Sequence, residues 1–168
     1  MIKIDDVVSV GQKGICKVEN ITKNAFVGCD ENKEYYVLRP LTSANNMVVY
    51  FPVDTKMNIR KLVSKQEAEN LLNKIASSDD VSVKNEEERF KIYNSIIKQG
   101  EFENYLKLIK TILYRKNKMT KKQFNFQEQK ILDQVLASVL CEAELVLNKN
   151  KDEIKKQITA NLKLDIEI

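Results

Sequence analysis

Histidine and tryptophan are absent from the 168 residues, and only four glycines, two prolines and three cysteines occur. Without histidine the commonest general base and metal ligand is missing, no Ser-His or Cys-His pair is available, and most hydrolytic mechanisms are disfavoured. Four glycines can hardly build a phosphate-gripping loop or a dinucleotide fingerprint, and neither motif is present. Cys16, Cys29 and Cys141 are odd in number and widely separated, which suits neither a disulfide framework nor a zinc site; buried or idle thiols are expected. No run approaches the roughly 18 apolar residues of a membrane span. The start, MIKIDDVVSV, places acids where a secretory signal has a basic region. A cytoplasmic protein that needs no cofactor and no membrane is the expectation.

What is there belongs to a soluble globular chain, 43% apolar and 31% charged, with a formal charge of +4. That surplus is too small to indicate nucleic acid by itself, so the placement of charge matters more than its total.

From Ile2 to about Val53 the chain is a series of short β-type runs: Val7 to Val10, Ile15 to Ile21, Tyr35 to Leu38 and Val48 to Phe51. Alternation in the second run is imperfect, yet a strand fits it better than a helix. Gly11 and Gly14 bracket one reversal, and Ser43-Ala44-Asn45-Asn46 predicts another, because Asn tolerates positive φ. Several antiparallel strands in so short a stretch predict a small SH3-like or Tudor-like barrel with a marginal core.

After Arg60 the pattern becomes helical. Ser64-Lys65-Gln66-Glu67 reads as a capping box, followed by an apolar face of Ala68, Leu71, Leu72 and Ile75 in a helix reaching about Ser77. Asn85-Glu86-Glu87-Glu88 repeats that signature before Phe90, Tyr93, Ile96 and Ile97, and Gly100 supplies a left-handed stop. A third helix turns Phe102, Tyr105, Leu106, Ile109, Ile112 and Leu113 inward. A fourth begins at Asn125, with Glu128 closing its box and Ile131, Leu132, Val135, Leu136, Val139 and Leu140 forming a long apolar side. Beyond it, Ile154, Ile158 and Leu162 recur at fours between highly charged flanks, which predicts a frayed or loosely docked tail over 148–168. The fold class is therefore α+β, with a β domain over 1–63 and a helical domain over 64–168.

Between Asn104 and Gln127 no acidic residue occurs, whereas Lys107, Lys110, Arg115, Lys116, Lys118, Lys121 and Lys122 crowd one helix end and the loop after it. Two readings stand: a solvated basic loop, or a surface that meets backbone phosphates and releases their counterions. Tyr105, Tyr114, Phe124 and Phe126 interleave with these cations. Tyr105 is expected in the core, and Phe124 as an apolar staple ahead of the fourth helix. The run Glu86-Glu87-Glu88 is explained by the positive end of a helix dipole and needs no catalytic or metal role.

The order VVSVGQKGICKVENI, KEYYVLRPL, VVYFPVD and NIRKLVS, then ERFKIYNSIIKQGEFENYLKLIKTILYRKNK and FNFQEQKILDQVLASVLCEAEL, resembles the CarD/CdnL family over about residues 1–148. That family shares its N-terminal module with the transcription-repair coupling factor. The resemblance implies a Tudor-like domain that binds the β subunit of RNA polymerase. It also implies a helical domain that contacts promoter DNA and tunes the lifetime of the open complex. By position it places Arg89, Lys91, Lys116 and Lys130 on the DNA side, to which the charge pattern adds Arg115, Lys118, Lys121 and Lys122. Relatives often carry a minor-groove tryptophan wedge where this chain has Glu86, and a carboxylate cannot replace an apolar wedge at a base step.

On the polymerase side the corresponding position is Tyr50, for which interface and core are both open. A monomer is expected, with exchange of the short β module through its edges as the route to a dimer. A protein-binding adaptor with little DNA contact is the alternative function. An enzyme holding magnesium by carboxylates alone is a third class, and no pair of acids at suitable spacing supports it.

Overall fold

In the computed structural model, residues 2–41, 47–54, 58–119, 124–166 and 168 are described below. The chain divides into two compact units, Met1–Leu62 and Val63–Ile168.

The first unit is a five-stranded antiparallel sheet of β1 (Val7–Val10), β2 (Gly14–Thr22), β3 (Tyr35–Pro40), β4 (Val49–Pro52) and β5 (Ile59–Lys61). Their order across the sheet is β4-β3-β2-β1-β5, which leaves β4 and β5 at the edges. The β1–β2 reversal is a single 3-10 turn over Gly11–Lys13, and Gly14 sits at φ 71°, a conformation glycine adopts without a Cβ penalty. The pairing register of β2 with β3 shifts between Val18 and Asn20. This bulge accounts for the broken alternation of Ile15 to Ile21, because one extra residue reverses the facing of those beyond it. Val8, Val10, Cys16, Val18, Tyr36, Leu38 and Phe51 form the core of the sheet. The expected reversal at Ser43 to Asn46 lies outside the described residues.

The second unit holds α1 (Lys65–Asn73), α2 (Glu86–Gln99), α3 (Phe102–Lys118), α4 (Phe126–Leu147) and α5 (Lys151–Leu162). Ser64 Oγ accepts from the Glu67 amide and Asn85 Oδ1 from the Glu88 amide, so two of the expected N-caps form. Gly100 ends α2 in the left-handed conformation, at φ 71°. The first helix stops at Asn73, short of the expected Ser77, and the chain continues as a 3-10 turn over Ile75–Ser77. Phe102, Tyr105, Leu106, Ile109, Ile112 and Leu113 of α3 are all buried against Leu132, Val135, Leu136 and Val139 of α4.

Two expectations need correction. Asn125 caps α4 by accepting from Gln127, but Glu128 does not reach back to complete a capping box; its carboxylate turns inward to arginine. The stretch after Asn148 is no frayed tail. Asn148 closes α4 in the left-handed region, and Asn150 with Glu153 forms a full capping box for α5. Ile154, Ile158 and Leu162 are buried in the common core. Gln157 Nε2 donates to Asn73 at 3.0 Å and Asn161 Nδ2 to the Leu72 carbonyl at 2.9 Å, fastening α5 to α1. Charged flanks suggested fraying only because these partners lie more than eighty residues away.

Candidate nucleic-acid and polymerase interfaces

In the helical unit, the start of α2, the end of α3 and the start of α4 converge on one carboxylate. Glu128 is 1% exposed. Its Oε1 accepts from Arg115 Nε at 2.9 Å and lies 4.0 Å from Arg89 Nη1. Arg89 Nη2 also reaches Glu86 at 3.1 Å. Two cations sharing one buried anion satisfy the rule that interior charge is paired, and the pairing holds three helix ends in register. Tyr93 packs beside this group, fully buried. Burial first, and then the Glu128 carboxylate, pushes its phenol up, while Arg115 and Arg89 act the other way.

The residues singled out for DNA fall into two sets around this anchor. Arg89 is buried and Arg115 is half-buried; Arg115 donates a hydrogen bond to buried Glu128, while Arg89 pairs with Glu128 by charge and donates to the exposed Glu86. Lys91, Lys118 and Lys130 are exposed. Lys116 donates to Gln129 Oε1 at 3.0 Å across the α3–α4 junction and stands 5.8 Å from the Phe124 ring. The Lys130 ammonium sits 4.7 Å over the ring of Phe126, which is 71% exposed. Phe124 packs partly against the core, as a residue ahead of an N-cap does, and Tyr105 is interior, donating to the Ile97 carbonyl at 2.9 Å. Lys121 and Lys122 lie outside the described residues. Lys110, counted in the basic cluster, is buried, with its ammonium on the Ser78 carbonyl and 3.1 Å from Asp80. The exposed positive charge is thus narrower than the run of lysines suggests.

In the sheet unit, Tyr50 lies on the edge strand β4 with 39% of its surface open, paired in register with Val37. Its ring contacts Phe26 at 5.3 Å between centroids, and Phe26 stands edge-on to Tyr35 at 5.6 Å. Phe26, Val27, Met47 and Val53 are exposed apolar residues of the same unit. Tyr50 is therefore not a core residue, and an edge strand carrying exposed aromatics offers both unpaired backbone groups and apolar area.

Two features escaped the sequence reading. Glu128 falls on the apolar stripe of α4 one turn before Ile131 and Leu132, so a carboxylate on a buried face was the available signal. Phe26 and Val27 sit in the β2–β3 connection, where nothing in the local pattern marks them as neighbours of Tyr50. Among the described residues no helix is long and apolar enough to cross a membrane, and no cluster of His, Cys, Asp or Glu is placed to hold a metal ion. Cys16 and Cys141 are buried and Cys29 is half-buried; burial pushes the Cys141 thiol up, which disfavours its thiolate.

A five-stranded antiparallel module followed by a helical module defines a two-part α+β class. Residues 2–63 match the family model of the CarD-like/TRCF RID domain, and residues 63–159 match that of the CarD C-terminal domain. The chain belongs to the CarD family, a family of non-catalytic transcription regulators that bind RNA polymerase, and its N-terminal module is Tudor-like. No curated protein matches it significantly.

Proposed function

We propose that the chain binds the polymerase β subunit through the β4 edge of its sheet unit and lays the α2–α3–α4 end of its helical unit on promoter DNA. The observation that carries this reading is the convergence of the three helix ends on buried Glu128. That anchor turns exposed Lys118 and Lys130 outward beside two helix N-termini, whose dipoles favour phosphate. Lys91, Lys116, Lys121 and Lys122 extend the same phosphate-contacting set. Arg89 and Arg115 contribute by fixing the geometry as well as by their charge. Tyr50 anchors the polymerase contact, with Phe26 beside it. Holding both partners gives the DNA contact a high effective concentration, so a weak intrinsic affinity is sufficient to modulate the open complex.

The carboxylates of Glu86, Glu87 and Glu88 at the start of α2 favour a second reading, an adaptor that grips polymerase and touches DNA little. Titration of the full chain with duplex DNA across a salt series separates the two. DNA contact predicts salt-dependent binding that weakens when Lys116, Lys121 and Lys122 are neutralised together; an adaptor predicts no change.

A further inference from the structure

A cavity of about 460 Å³ opens between the segment leading into α2 and the end of α3, and its lining includes Asp80, Lys84, Glu86, Arg89, Tyr93, Arg115 and Lys118. Its volume lies in the range of small-molecule sites. Four of the lining side chains are cationic and two are carboxylates. Both carboxylates are engaged, Asp80 by Lys110 at 3.1 Å and Glu86 by Arg89 at 3.1 Å. Among the lining side chains the cations therefore outnumber the carboxylates by two. Lys84 and Lys118 are exposed and form no ion pair among the described residues.

The interior wall carries an independent signal. Tyr93 is 0% exposed, and among the described residues its hydroxyl is a buried side-chain polar atom without a hydrogen-bond partner. Buried hydroxyls in folded proteins are nearly always satisfied, so a donor left open in the field of Arg89 and Arg115 marks a place for an acceptor. The adjoining α2 N-terminus adds the positive end of a fourteen-residue helix.

We infer that this cavity binds a phosphate group, taken in by Lys84, Lys118 and Arg115 at the mouth and accepting a hydrogen bond from the Tyr93 hydroxyl at the floor. The double positive excess is matched in full by a dianionic phosphate monoester and in half by a backbone phosphodiester, which carries one charge. The group arrives either on a free phosphorylated small molecule or as one phosphate of a DNA backbone. Because the first case needs no DNA, the inference does not depend on the proposed function.

The test is titration of the full chain with inorganic pyrophosphate at constant ionic strength, followed by amide NMR shifts, for the native protein and for Tyr93→Phe and Lys118→Gln. Saturable shifts at residues 84–93 and 111–118 are expected. Each substitution should weaken binding on the order of tenfold, as loss of a hydrogen bond or ion contact to a charged group does. Tyr93→Phe keeps the ring and removes only an unpartnered hydroxyl, so its melting temperature without ligand should not fall. Absence of saturable binding, or binding indifferent to Tyr93→Phe, overturns the inference. So does a large loss of stability in Tyr93→Phe, which means an internal water already satisfies the hydroxyl. With binding established, duplex DNA displaced by pyrophosphate identifies the backbone as the source, and simultaneous binding identifies a free phosphorylated ligand.

Discussion

The two units solve different problems with different resources. Among the described residues the central apolar cluster of the sheet unit holds seven buried side chains, with aromatic surface open around β4, whereas that of the helical unit holds twenty-three and surrounds an internal ion cluster. A small core with an unpaired edge gains from a partner that supplies more burial, as in β-strand addition. A large core tolerates a buried charged group and uses it to hold three helix ends where their cations face outward. Under the proposed function, apolar area carries the polymerase interface and positional control of charge carries the DNA interface.

The sharpest way to break the comparison is Glu128→Ala. It leaves Arg89 and Arg115 without their buried anion and should cost about 3–5 kcal/mol in the helical unit, while the sheet unit is untouched. Urea unfolding followed by helical circular dichroism measures this; a loss below about 1 kcal/mol means the anchor is dispensable. Leu38→Ala makes the complementary cut. Removing a fully buried side chain from the small core should cost about 2–5 kcal/mol and unfold the sheet first, visible as loss of β-strand amide protection with the helices intact.

Tyr50→Ala separates binding from folding. An exposed edge residue should change stability by less than about 1 kcal/mol. As an interface anchor, its truncation should weaken polymerase binding by about 2 kcal/mol, read from titration of the full chain with polymerase. Lys118→Gln should leave the fold unchanged and lower the slope of log affinity against log salt for duplex DNA by about one.

The smallest effect concerns acid. The hydrogen bond from Arg39 first, then the nearby positive charges, hold the Glu19 carboxyl below the usual glutamate range against a partial desolvation that raises it. A depressed carboxylate contributes stability that is fully present above its unfolded value and lost as pH falls through the folded one. Glu19→Gln should therefore lower stability by a small constant amount at neutral pH, flatten the acid limb and converge on the native profile at low pH; equal stability of the two proteins at neutral pH contradicts the assignment.

Legibility in the sequence followed the range of the interactions. Strands β1 to β4, the caps at Ser64 and Asn85, the stop at Gly100 and the inward face of α3 are expressed directly by local pattern, whereas the three-residue β5 (Ile59–Lys61), too short to show alternation, was not read as a strand. The docking of α5 and the inward turn of Glu128 depend on Asn73, Leu72, Arg89 and Arg115, and no local pattern reports such partners. Basic charge was legible in number but not in exposure, since Lys110 and Lys118 share one helix yet one is buried on Asp80 and the other is exposed. Tyr50 was open to two readings because alternation along β4 does not say which face of a small sheet is covered.

The most direct measurement of the central claim is affinity of the full chain for RNA polymerase carrying its β subunit, for native protein, Tyr50→Ala and Lys118→Gln, without DNA. Binding should be weakened at least tenfold by Tyr50→Ala and left unchanged by Lys118→Gln. Binding lost equally in both variants, or unaffected by Tyr50→Ala, contradicts a division of labour between an aromatic edge and a basic helical end.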